Sequence, residues 1–134
     1  MIRTKNTTVN IENLHINLKQ FLTEMSSKFD GIVVSSGNDA THIIGSRHYL
    51  NKAIDIGANS SNANAYASFK AYVLNNEALK KEYDIEDIID EGNHIHIELP
   101  LTVKERNVVY FKRGLVVFLL IGIATSVYLK FIKK

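Results

Sequence analysis

The amino-acid sequence predicts an α+β protein: a small antiparallel sheet with two packed helices, followed by one C-terminal transmembrane helix. Three observations carry this expectation. Apolar residues from Leu14 to Phe29 recur at helical spacing. The runs "IVVSSG", "KAIDIG" and "HIHIEL" are short, β-branched and bounded by turn residues, as strands are. The stretch "GLVVFLLIGIATSVYL", Gly114 to Leu129, contains no charged side chain.

At 134 residues the chain has room for one domain with a modest core. Residues 1–10 are polar and expected to be extended or loose. The first helix is read across 11–29, with Leu14, Leu18, Phe21, Leu22, Met25 and Phe29 on its buried face. His15 falls in this helix without an evident role, and Asp30-Gly31 stops it. "IVVSSG" forms a strand ending at Gly37. In the next strand, Ala53 and Asp55 face one side, and Ile54 and Ile56 the other. Residues 60–83 read as the second helix. Ser61 can cap it, and Ala65, Phe69, Tyr72, Val73 and Leu79 form its buried face. "IEDIID" and "HIHIEL" make a closing hairpin, with Gly92-Asn93 for its turn, and Pro100 ends the last strand.

The domain so delimited covers residues 1–104. Residues 105–113 form a basic juxtamembrane linker, and 114–132 the transmembrane helix. Those 19 positions span roughly 28 Å as a helix, close to a hydrocarbon core of about 30 Å. Lys112 and Arg113 flank one end. Lys130, Lys133 and Lys134 flank the other, where lysines can snorkel to the interface. Tyr110, Phe111, Tyr128 and Phe131 sit where interfacial aromatics belong. The N-terminus has no apolar signal-peptide core, so the default is a domain held on the cytoplasmic side by its tail. Basic residues at both flanks keep the positive-inside rule from choosing a side.

Charge and composition narrow the chemistry. Residues 1–104 carry ten Lys/Arg against thirteen Asp/Glu, a net charge of −3, while the remainder carries six against one. A mildly acidic body argues against nucleic acid as a partner. With no cysteine, any metal site must be built from His, Asp or Glu.

Four of the five histidines fall in two short stretches, "THIIGSRHYLNKAID" and "HIHIE". In a strand, His94, His96 and Glu98 share one face, with Ile95 and Ile97 opposite. Burying three polar groups together costs several kcal/mol unless each has a partner, and a cation can supply one. His48 and Asp55 bracket a loop that enters a strand. With one histidine of the last strand they form a three-ligand set of the kind that leaves the fourth zinc position for water.

"SGNDATHIIGSRHYLNKAIDI", Ser36 to Ile56, resembles the metal-binding stretch of the zinc D-Ala-D-Ala carboxypeptidase family. That superfamily also includes phage peptidoglycan endopeptidases and the signalling domain of hedgehog. Ser46, His48 and Asp55 match its S-x-H-x6-D element, and His94 and His96 its later H-x-H. His42 matches a histidine of the hedgehog-like and phage-like variant. The likeness covers roughly residues 31–99 and implies a zinc peptidase domain. It makes His48, Asp55 and His96 the Zn2+ ligands, with His94 beside the metal, Glu91 as general base and His42 steadying the oxyanion or substrate carbonyl. "EGNHIHIE" also fits an E-x-x-H register, in which His94 is the ligand and Glu91 its base.

Two departures bear on specificity. Asn51 stands where the family has glycine, a mild change because Asn tolerates the left-handed conformation. The arginine that carboxypeptidases of this family place after S-G is replaced by Asn38-Asp39, which favours an endopeptidase. Arg47 is the substitute cation for gripping a substrate carboxylate, or else a solvated loop charge. The implied function is hydrolysis of peptide bonds in peptidoglycan, in the stem or the crosslink, by an endolysin-like or D,D-/L,D-peptidase. The Asn-, Lys- and Ile-rich composition suits a bacterial host or a phage. The alternatives are a non-catalytic zinc-binding module of the same fold and a tail-anchored phage structural protein.

Overall fold

The computed structural model describes residues 2–39, 41–58 and 63–113. It is an α+β structure built on one four-stranded antiparallel sheet. The strands are β1 (Ile32–Ser36), β2 (Ala53–Ala58), β3 (Asp87–Asp90) and β4 (His94–Glu98), in the order β1-β2-β4-β3. The helices of this part are α1 (Ile16–Lys28), α2 (Ala63–Val73) and α3 (Glu77–Glu82). The chain divides into two units. One comprises residues up to His42 and Arg47–Pro100; the other comprises Ile43–Ser46 and the residues from Leu101.

Alternation along β2 and β4 separates the two faces of the sheet. Ile54 lies opposite Ile97 and Ile56 opposite Ile95, and all four are fully buried. On the other face Asp55 lies opposite His96 and Gly57 opposite His94. The aliphatic face joins Leu18, Phe21, Leu22 and Met25 of α1 and Phe69 and Val73 of α2 in one core cluster. Phe21 meets Tyr83 edge-on at 5.5 Å, an orientation that sets the positive ring edge of one against the negative face of the other.

Local details depart from the sequence reading in three places. α1 begins at Ile16 rather than near residue 11, because His15 is its N-cap: the imidazole Nδ1 accepts from the Asn17 N–H at 3.3 Å. The single helix expected over 60–83 is two helices. Asn75 takes a left-handed φ of 66°, and Asn76 caps α3 through a bond from the Leu79 N–H at 3.0 Å. Ser61, the expected cap of the first of them, lies outside the described residues. Residues 3–5 are not loose. Thr4 bridges Val34 in parallel, and the Lys5 N–H donates to the Val34 carbonyl at 2.9 Å, which covers the outer edge of β1.

In the second unit, residues 103–113 are helical where a linker was expected. Thr102 and Glu105 form a capping box. The Thr102 N–H donates to Glu105 Oε2 at 2.8 Å, and the Glu105 N–H to Thr102 Oγ1 at 3.3 Å. No helix among the described residues is long and apolar enough to cross a membrane. The expected span at 114–132 lies outside the described residues.

Candidate metal centre

Strand pairing closes a gap of 41 residues in the chain. Because β2 and β4 are neighbours in register, His96 Nδ1 comes within 2.8 Å of Asp55 Oδ1. His48 reaches the same carboxylate from a 3-10 turn, Arg47–Leu50, just ahead of β2. Asn51 closes that turn at a φ of 59°, in the left-handed conformation, and its N–H donates to the His48 carbonyl at 3.0 Å.

His48 is buried, and its Nδ1–H donates to the Gly37 carbonyl at 2.8 Å. That bond sets the tautomer and turns Nε2 toward Asp55 Oδ1, 3.3 Å away. Gly37 itself could be no other residue. A Cβ there would stand 2.1 Å from the Asn10 carbonyl oxygen, so only glycine lets the loop after β1 come this close. The adjoining Asn38 N–H bonds that same Asn10 oxygen at 3.0 Å.

His96 is tied in the same way. Its Nε2 lies 3.3 Å from Glu98 Oε2, while Glu98 Oε1 lies 3.4 Å from Arg47 Nη1. Arg47 also pairs with Glu86 and donates to the Leu99 carbonyl at 2.6 Å. Each imidazole thus has its outer nitrogen fastened and its inner nitrogen aimed at one carboxylate, the arrangement that orients metal-bound histidines. One ligand atom from each of His48, Asp55 and His96 lies within 4.8 Å of the others, so the trio could hold a metal ion. Two imidazole nitrogens and a carboxylate oxygen, without thiolate, make up the donor set.

Without an ion the same groups stabilise one another by charge. Burial opposes ionisation of Asp55, but hydrogen bonds from His48 and His96 and the charge of the flanking histidines hold its carboxyl well below the usual range. Burial likewise disfavours a charged His96, yet the Asp55 and Glu98 carboxylates outweigh it and push the imidazole up to about 9.

The remaining residues singled out from the sequence fall as follows. His94 Nε2 is 3.0 Å from Glu91 Oε2 and 3.6 Å from Asp55 Oδ1, so it stands beside the trio with one nitrogen turned to both carboxylates. His42 stacks flat on His48, with ring centroids 3.8 Å apart and planes 3° from parallel, and its Nε2 meets Ser36 Oγ at 3.1 Å. Burial and the neighbouring His48 lower its proton affinity, against the pull of Asp55 and Asp39. Arg47 is a structural tie between the turn and the last strands rather than a solvated charge. Ser46 belongs to the second unit, where its N–H donates to the Ile43 carbonyl at 2.9 Å.

Three contributors escaped the sequence reading: Ser36, the Gly37 carbonyl and the Glu98–Arg47 pair. Alternation had placed Glu98 on the face of His94 and His96. The bulge between Val34 and Ser36, which sets Ser36 opposite Asp55, has no signature in "IVVSSG".

A cleft of about 340 Å³ opens beside the trio. Its walls include Lys5, Ser36, Asp55, Asn93 and His94, and Gly57 contributes no side chain to its floor. No family model matches the chain, and neither the curated proteins nor the solved structures include a significantly similar one.

Proposed function

We propose that the first unit is a zinc peptidase domain that hydrolyses peptide bonds of peptidoglycan. What supports the metal is the convergence of His48, Asp55 and His96, remote in sequence, with every outer nitrogen of the two imidazoles already occupied. What supports the substrate is the resemblance of residues 36–56 and of the H-x-H strand to zinc D-Ala-D-Ala carboxypeptidases and phage endopeptidases. Absence of an arginine after Ser36-Gly37 favours an internal bond over a C-terminal one.

A zinc ion on these ligands would polarise the scissile carbonyl and lower the pKa of the attacking water toward about 7. The protein's own groups do the rest. Glu91 and His94, 3.0 Å apart, form a pair that can take a proton from the attacking water and hand it to the leaving amine. Glu91 is half exposed at the hairpin turn, while His94 is held by strand pairing. His42, fixed by Ser36 and by its stack on His48, offers a ring N–H to the developing oxyanion. The cleft beside Asp55 and His94 holds the peptide, whose backbone can pass close over Gly57.

Metal analysis of the full chain, together with release of peptides from purified peptidoglycan, tests this reading. His48→Ala should lose metal and activity together. Glu91→Gln should keep the metal and lose about 10²–10⁴ in rate. Full metal content in His48→Ala would remove the site. Tight zinc binding with no cleavage by the unaltered protein would make the domain a binding module instead.

A further inference from the structure

The four most exposed large hydrophobic side chains among the described residues are Ile43 (79%), Val103 (74%), Phe111 (72%) and Tyr110 (62%), and all four belong to the second unit. Ile44 and Val108 of the same unit are also exposed. Soluble surfaces scatter such residues singly; a concentration of them marks an interaction surface.

The loop is fastened to the helical segment. Arg113 Nη2 donates to the Gly45 carbonyl at 3.4 Å. Gly45 has a φ of +80°, and a Cβ there would come within 3.0 Å of Arg113 Nε and 3.2 Å of Val109 Cγ1. Glycine is therefore what lets the tip Ile43-Ile44 pack against the end of the segment that carries Tyr110 and Phe111. Lys104, Arg106, Lys112 and Arg113 are exposed on this segment, against one acid, Glu105. In the chain, the uncharged run Gly114–Leu129 follows Arg113 directly.

We propose that the Ile43–Ile44 loop is a second membrane contact, lying with residues 110–113 in the headgroup region of an anionic lipid bilayer. The proposal rests on reading residues 114–132 as a membrane span. Apolar side chains of an interfacial segment sink about 5–10 Å into the headgroup boundary, aromatic rings favour that depth, and basic side chains meet the lipid phosphates. Lipid satisfies both properties of this surface at once. A second copy of the chain would cover the apolar residues but would set four cations against four in a two-fold contact.

Absence of cysteine makes the test direct. Single-cysteine variants Ile43→Cys, Gln20→Cys and Ala124→Cys of the full chain are labelled with an environment-sensitive fluorophore. They are then reconstituted into vesicles of phosphatidylcholine and phosphatidylglycerol. Labels at 43 and 124 should be quenched by a lipid-borne quencher and shielded from aqueous iodide, and the label at 20, on exposed α1 surface, should show the reverse. If 124 is shielded and 43 behaves like 20, the loop proposal fails while the span survives. If 124 is open to iodide, the span fails and the proposal with it. Shielding of 43 without lipid, with a doubled molar mass in solution, would assign the surface to self-association and overturn the proposal.

Discussion

Ile54 and Asp55 are neighbours in β2, yet they belong to different physical regimes. Ile54 faces the core with Ile97 across from it, is fully buried and makes only dispersion contacts. Asp55 faces the other way, and one of its oxygens lies within 4 Å of nitrogens from three imidazoles. The aliphatic face is held by many small, replaceable contributions. The polar face is held by a few directed ones, each dependent on another residue holding still. Losses on the first face should therefore appear as stability, and losses on the second as metal affinity.

The largest separation is expected from Ile54→Ala. Deleting a fully buried isoleucine side chain costs about 2–5 kcal/mol in unfolding free energy. Metal affinity per folded molecule should stay within about threefold of the unaltered protein, since the Ile54 side chain lies on the face of the sheet away from the ligands. Denaturant unfolding and isothermal titration read the two separately. A large affinity loss without a stability loss would mean that the two faces are not independent.

Next is Gly37→Ala. The added carbon meets the Asn10 carbonyl at 2.1 Å, so the loop must move and carry with it the carbonyl that orients His48. Because the neighbouring contact is backbone, both readouts should fall, with a stability loss of about 1–3 kcal/mol. An unchanged metal affinity would show that His48 is oriented by something other than that carbonyl.

Glu98→Gln is expected to act mainly on affinity, with a small loss of stability through His96. It keeps the shape and removes the charge that steadies the His96 Nε2–H, so metal binding should weaken about 10- to 100-fold. Arg47 would lose one carboxylate but keep Glu86 and the Leu99 carbonyl, so the fold should hold.

The smallest effect is a pH dependence of the metal-free protein. His96 titrates near 9 in the fold against an ordinary 6.5, so its contribution to stability is complete below pH 6.5 and disappears as pH rises to about 9. Asp55 has the opposite sign: its contribution is present above its ordinary value of 3.8 and is lost as pH falls. The pair therefore contributes most between those two values. Unfolding of the unaltered protein and of His96→Gln should differ at pH 6 and converge above pH 9. Equal differences at both ends would contradict the assignment.

Legibility in the sequence tracks the range of the interaction. The helical stripe of α1 and the alternation that puts Asp55, His94, His96 and Glu98 on one face follow from residues within a few positions of one another. The break at Asn75 was misread because the apolar spacing continues past it, and a single left-handed residue leaves that spacing almost unchanged. His15 was misread because a histidine cap has no strong preference to announce it. Arg47 offered two readings, a grip on substrate or a solvated charge. The partners it found, Glu86 and Glu98, are 39 and 51 positions further along the chain.

By itself the chain specified an α+β sheet with one aliphatic and one polar face, a donor inventory limited to imidazole and carboxylate, and a strongly apolar stretch after Arg113. Those are properties of period and composition, and they act locally. Tertiary structure alone decided that β2 lies between β1 and β4, that residue 96 rather than 94 lies opposite Asp55, and that a backbone carbonyl at Gly37 holds His48 in place. Register and close backbone approach depend on how remote segments share space, and no local preference encodes that.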